Sequence, residues 1–236
     1  MENLRRAYAG EKSERELELI GRESFAFIPL LALGLVWELS RWRPGSPPVR
    51  IEGLARLVRA QDGGRGAILA MPHLGIFPLA GVALAQQGFN AAYIYRHLSS
   101  KPLDDVVCGL ARRWSVKLIP AHPRDVCLSE SLAHLRSGGV LFILGDQRSA
   151  TSTATAAFFG IPTATPLGPL VLAARARAAL LPAVCIRLTG RDHVLHVGEP
   201  LPEGNLEERA AAMNKSFERW IRRYPEQWLW LHRRWR

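Results

Sequence analysis

Short apolar runs alternate along this chain with longer stretches whose apolar positions recur at helical spacing. Residues 66–71 form one such run, stopped by Pro72, and suit a buried parallel strand. Residues 91–96, 116–120 and 138–145 read the same way, the last bounded by glycines. Two further strands, 181–188 and 193–197, look like a hairpin turned at Gly190, Arg191 and Asp192. Helical periodicity predicts a long segment over 11–43, with Ser13 as N-cap and Glu16 three residues on. The run Arg43, Pro44, Gly45, Ser46, Pro47, Pro48 ends it. Shorter helices are predicted over 54–61, 77–87, 102–114, 124–137, 167–178 and 207–223, while 158–165 reads as a loop. Strands alternating with helices predict an α/β fold: a single layered domain with a mostly parallel central sheet flanked by helices. No repeat or linker divides residues 1–236, so one domain is expected, with 1–43 as its amino-terminal helical segment.

Composition changes that picture little. With 236 residues and 48% hydrophobic content, the chain is long enough for a continuous core and is neither low-complexity nor broadly disordered. The 31 Lys+Arg against 21 Asp+Glu give a net charge of +10, which points to an anionic partner: nucleic acid, anionic lipid or an acidic protein. Nucleic acid is the weakest of these, because no binding motif or basic stripe with stacking aromatics occurs outside the carboxyl end. Cys108, Cys127 and Cys185 form no CxxC pair, so a disulfide framework or zinc site is not expected and a reducing compartment is. The longest uncharged apolar stretch, 25–37, contains Pro29 and Gly34 and is shorter than the roughly 20 residues a span needs. A helix lying on a bilayer or in a groove suits it, as does a plain core helix.

Chemistry concentrates at three strand ends, where open α/β sheets bind ligands. They carry Pro72-His73-Leu74-Gly75, Tyr95-Arg96-His97 and Gly145-Asp146-Gln147-Arg148. Together these suggest a general base with charged supports. No GxSxG, Walker A, GxGxxG or HExxH motif is present, and the seven histidines show no metal-ligand spacing. What remains is a base that activates the hydroxyl of another molecule, with no bound cofactor or metal expected.

Several short blocks follow one another in order: Asn3-Leu4 with Glu14-Arg15-Glu16; Arg50-Ile51-Glu52-Gly53; His73-Leu74-Gly75; and Tyr95-Arg96 with Pro102-Leu103-Asp104. Gly145-Asp146-Gln147, the segment 158–165, and the tryptophan-rich end from Pro225 through Trp228 and Trp230 to Trp235 complete the set. Together these blocks resemble the lysophospholipid acyltransferase superfamily, in its bacterial branch of late lipid A biosynthesis acyltransferases. The resemblance implies a glycerolipid-acyltransferase-like fold that moves a fatty acyl group from an acyl carrier protein or coenzyme A thioester to a lipid or glycolipid hydroxyl. It also implies work at the cytoplasmic face of the inner membrane. An anchor usually precedes the Asn3-Leu4 block in that branch, so peripheral attachment to an anionic surface is expected here, with a soluble cytoplasmic state as the alternative.

The resemblance makes His73 the catalytic base and assigns Arg96, Gln147, Gly75 and Tyr95 to substrate binding. The family motif is His, four residues, then Asp or Glu. Here the acid position holds Pro78. Pro is comfortable in a first helical turn, but an orienting carboxylate is worth orders of magnitude in rate. Three readings stay open: Asp146 replaces the acid, His73 works alone, or the protein is a noncatalytic lipid or acyl-carrier binder. For Trp228 and Trp230, core packing is the favoured expectation over a lipid interface.

Overall fold

A computed structural model describes residues 1–42, 49–148, 153–189 and 192–235; side chains at 30, 32–35, 37, 38 and 41 also lie outside the description. The expected helix break at 43–48 and the Gly190-Arg191 part of the hairpin turn therefore fall outside the described residues. Among the described residues the central sheet has seven strands. In chain order they are β1 (Val49–Glu52), β2 (Ala67–Met71), β3 (Ala91–Tyr95), β4 (Lys117–Pro120), β5 (Val140–Leu144), β8 (Ala179–Arg187) and β9 (His193–Val197). Across the sheet they run β1-β9-β8-β2-β5-β3-β4. The five strands from β8 to β4 are parallel; β9 returns antiparallel to β8, and β1 runs parallel with β9. The expected layered α/β domain and the β8–β9 hairpin are both present.

Central strands are apolar throughout because both faces of the sheet are covered. β2 shows this residue by residue. Ile68 and Ala70 join one core with the amino-terminal helices and the carboxyl-terminal tryptophans. Ala67, Leu69 and Met71 face the other core with Leu57, Leu79 and Trp114. Two opposed cores from one five-residue strand follow from the alternation of side chains.

Eight helices are described: α1 (Glu2–Ala7), α2 (Glu14–Arg41), α3 (Leu54–Ala60), α4 (Pro78–Gln86), α5 (Lys101–Arg113), α6 (Arg124–Arg136), α7 (Gly168–Ala176) and α8 (Leu206–Arg223). Ser13 and Glu16 form the expected cap: the Ser13 amide donates to Glu16 Oε2 at 2.8 Å and the Glu16 amide reaches Ser13 Oγ at 3.4 Å. Asn205 and Glu208 cap α8 in the same reciprocal way. α4 starts at Pro78, whose fixed φ and missing N–H cost nothing in the first turn. Among the described residues no helix is long and apolar enough to cross a membrane.

Two elements depart from expectation. Segment 158–165, read as a loop, is largely the turn and second strand of a hairpin, β6 (Thr153–Phe158) and β7 (Ile161–Pro166). It packs on α8, where Asn214 Nδ2 donates to the Ala157 carbonyl and to Thr165 Oγ1. The short strand β1 was not anticipated either. The amino-terminal segment is not a loose appendage: Leu4, Ala7, Tyr8 and Leu17 are buried in the first core.

Candidate active site

Strand register builds the site. β2 and β5 are neighbours with Met71 opposite Leu144, so the residues two places beyond each strand, His73 and Asp146, emerge at one level. The Gly145 amide donates to the Met71 carbonyl at 2.9 Å and extends the ladder toward them. His73 Nδ1 lies 2.7 Å from Asp146 Oδ1, and the His73 backbone amide donates to Oδ2 at 2.9 Å. Oδ2 also accepts the indole N–H of Trp228 at 2.7 Å.

An ionised carboxylate only accepts hydrogen bonds, so the proton of neutral His73 sits on Nδ1 and leaves Nε2 as the basic nitrogen. Asp146 is 2% exposed, whereas the His73 side chain retains 20% exposure. The acid is thus enclosed and the base is reachable. Burial alone would lower the His73 pKa, but the charge and hydrogen bond of Asp146 outweigh it and the net shift is upward. For Asp146 burial pushes up, yet His73, the Trp228 indole and the His73 amide hold it below the usual carboxylate range.

The loop carrying His73 is fixed from behind. Gly75 donates to the Gln227 carbonyl at 3.0 Å, Ile76 to Cys185 at 2.8 Å, and Leu229 to the His73 carbonyl at 3.2 Å. Gly75 has φ +65°, and a Cβ there would sit 2.1 Å from the Cys185 carbonyl oxygen. Glycine is required on both counts. The Phe77 ring meets the imidazole edge-on at 5.4 Å. Ser24 of α2 donates to the Trp228 carbonyl at 2.7 Å, so the first helices and the chain end close over the same loop.

Arg234 and His232 lie within electrostatic reach of the pair. Arg234 is buried; it donates to the Ala164 carbonyl and lies 5.2 Å over the Phe158 ring. Burial brings its pKa down to about 10, while the charge of Asp146 opposes that drop. His232 is lowered as well, first by burial and then by the positive charges of His73, Arg234 and Arg148, against the pull of Asp146.

The other expected site residues divide. Gln147 is half-buried beside Asp146. Arg96 is exposed just past β3, the strand on the far side of β5. The Tyr95 hydroxyl is committed elsewhere, donating to Asp104 at 2.7 Å. Trp228 is both things at once: a buried core aromatic, edge-on to Phe158 and Trp230, and a donor to the acid. Sequence reasoning missed that second role. Its signal was that a buried indole N–H seeks an acceptor.

The profile of the family described as bacterial lipid A biosynthesis acyltransferase matches residues 1–236. The chain belongs to the bacterial lipid A biosynthesis acyltransferase family. Among similar proteins is a phosphatidylinositol mannoside acyltransferase of Mycobacterium tuberculosis, 29% identical over 191 residues, covering 78% of this chain and 59% of that protein. A lipid A biosynthesis acyltransferase of Haemophilus influenzae is 28% identical over 184 residues, 76% of this chain and 56% of that protein. A lipid A biosynthesis palmitoleoyltransferase of Escherichia coli is 27% identical over 237 residues, 95% of this chain and 74% of that protein. The first two alignments thus span less than two thirds of those relatives. These relatives are named for two different glycolipids, so the resemblance alone leaves the acceptor open.

Proposed function

We propose that this chain transfers a fatty acyl group from a thioester carrier to a hydroxyl of a lipid or glycolipid acceptor. His73 Nε2 takes the acceptor's proton as its oxygen attacks the thioester carbonyl carbon. The tetrahedral intermediate then collapses, the C–S bond breaks, and the imidazolium returns the proton to the leaving thiolate. Asp146 holds the Nδ1–H tautomer and stabilises the imidazolium, without itself taking a proton. Trp228 keeps that carboxylate in place. The observation that carries the reading is the 2.7 Å contact between His73 and Asp146, which supplies the carboxylate that Pro78 cannot. The noncatalytic alternative rested on Pro78 alone, and that contact takes away its main support.

Arg96 and Gln147 are the proposed contacts for anionic or polar parts of donor or acceptor. The hydroxyl of Tyr95, engaged by Asp104, is not among them. Gly75 acts through its backbone by bringing His73 into position. Acyl carrier protein and coenzyme A are both anionic donors, and the net charge of +10 suits either.

Attachment to an anionic membrane surface is proposed through the apolar groove between α1, α2 and the chain end. It has a volume of about 450 Å³ and is lined by Met1, Leu4, Phe25, Ile28, Trp230 and Leu231. Phe25 is 68% exposed although it is aromatic, and Arg22 lies beside it, a pairing suited to a headgroup boundary.

The test is transfer of labelled acyl groups from acyl carrier protein and coenzyme A thioesters to a panel of lipid hydroxyls. Transfer by the native chain and its loss in His73→Ala are expected. Equal rates in both would remove His73 as the base, and transfer to no acceptor would favour a binding protein.

A further inference from the structure

A second cluster of reactive side chains lies away from the His73 pair, at the β3–α5 edge of the sheet. Asp104 and Cys108 stand four residues apart on α5 and share one face of it. His97 comes from the preceding loop. Asp104 is 8% exposed, uncommon for a carboxylate. Its Oδ1 accepts from the Tyr95 hydroxyl at 2.7 Å and from the Leu98 amide at 2.9 Å. Its Oδ2 is left to two other groups, His97 Nδ1 at 2.8 Å and Cys108 Sγ at 4.0 Å.

One imidazole nitrogen, one carboxylate oxygen and one thiol sulfur therefore converge, all within 4.8 Å of one another. These are the three ligand types that zinc takes. The carboxylate is itself braced by a phenol and an amide, as ligating carboxylates usually are. A cavity of about 380 Å³, bounded by Tyr95, His97, Cys108 and Arg112, adjoins the cluster and leaves room for a water in a fourth position. Lys117 on its wall is paired with Glu130 at 3.0 Å, which reduces its repulsion of a cation. With bonds of about 2.0–2.3 Å the ligand atoms of a tetrahedron stand roughly 3.3–3.8 Å apart, so His97 Nδ1 and Asp104 Oδ2, now 2.8 Å apart, must part slightly while the sulfur closes in from 4.0 Å. The His97 side chain, 65% exposed and on a loop, is free to make that move.

We propose that His97, Asp104 and Cys108 form a binding site for one zinc-class divalent cation, with water as the fourth ligand. Binding releases the Cys108 thiol proton to solvent and sets a thiolate and a carboxylate against the dication's charge. Bound metal would clasp the start of α5 to the end of β3. Histidine spacing alone conceals such a site, because its ligands are of three kinds and only one is a histidine. The proposal is independent of the acyl-transfer reading, and either can fail without the other.

The test uses the untagged, reduced full chain, freed of metal by chelator and titrated with Zn²⁺ against a chromophoric competitor. One equivalent is expected to bind, and His97→Ala and Cys108→Ser are each expected to weaken it by about 100-fold or more. Co²⁺ should give a thiolate charge-transfer absorption that Cys108→Ser abolishes. Zn²⁺ should also slow alkylation of Cys108 in the native chain, a readout that needs no substitution. Absence of a stoichiometric site, or unchanged affinity in both variants, would overturn the proposal. So would alkylation of Cys108 that Zn²⁺ does not slow.

Discussion

His73 and Asp146 are 73 positions apart in the chain, yet Nδ1 and Oδ1 are 2.7 Å apart in space. Adjacent parallel strands create that contact. Because β2 and β5 are in register at Met71 and Leu144, any carboxylate two residues past β5 meets the side chain two residues past β2. The acid need not be near the histidine in sequence if the sheet delivers it. Pro78 is then free to start α4, where a proline suits the helix better than the chemistry requires an acid.

The pair predicts a pH dependence with a definite sign. A histidine can act as a base only when neutral, and Asp146 raises the His73 pKa above the ordinary value of about 6.5. The acidic limb of kcat/KM should therefore lie above that of an unpaired histidine. In Asp146→Asn the limb should move to lower pH while the plateau rate falls. A limb that stays put would mean the titrating group is not His73.

Stability should follow the same linkage. A folded-state pKa raised above the unfolded value gives stability that is fully present below the unfolded pKa and lost as pH rises through the folded one. The destabilisation caused by His73→Ala should thus be larger below about pH 6 than well above it. The depressed Asp146 works oppositely: its contribution is present above the unfolded carboxylate pKa and fades as pH falls through the folded one. Urea midpoints of the native chain and of His73→Ala across pH measure the difference, and a pH-independent gap would contradict the linkage.

Trp228→Phe keeps most of the aromatic packing and deletes the indole N–H that reaches Asp146. A hydrogen bond to a charged acceptor is worth about 1.5–3 kcal/mol. The variant should lose stability of that order and lose kcat by about tenfold or more, with KM little changed. A rise in KM alone, with kcat unchanged, would place Trp228 with substrate instead.

Pro78→Asp tests the converse. The His73 Nδ1–H can be given to only one strong acceptor, and Asp146 already holds it. Restoring the family acid should leave the acyl-transfer rate nearly unchanged. A large gain would show that Asp146 is a poor substitute.

Gly75→Ala should be costly in stability, by about 2 kcal/mol or more, because it combines a left-handed backbone with a clash against the Cys185 carbonyl. Thermal melting of the variant checks this. A melting temperature like that of the native chain would mean the His73 loop can relax away from β8.

How far the sequence revealed this depends on the element. β2 and β5 were legible because strands buried on both faces are uninterrupted apolar runs. The β6–β7 hairpin was not, because its Thr and Ala residues and its two prolines carry little strand signal and its stability comes from α8 and the tryptophans. β1 is four residues beside a proline-rich stretch, too short to show a period. Each half of the His73–Asp146 pair was visible as a polar residue at a strand end. That they meet was not, because strand order is a tertiary property. Trp228 was read as packing because burial hides the destination of a single N–H.

The most direct test of Asp146 as the replacement acid is the turnover number of Asp146→Asn in the acyl-transfer assay, with unchanged folding verified by circular dichroism. A drop of about 10³–10⁴-fold is predicted, the penalty for losing the carboxylate that fixes a catalytic histidine's tautomer. Turnover within a few fold of the native chain would contradict the account and leave His73 working alone.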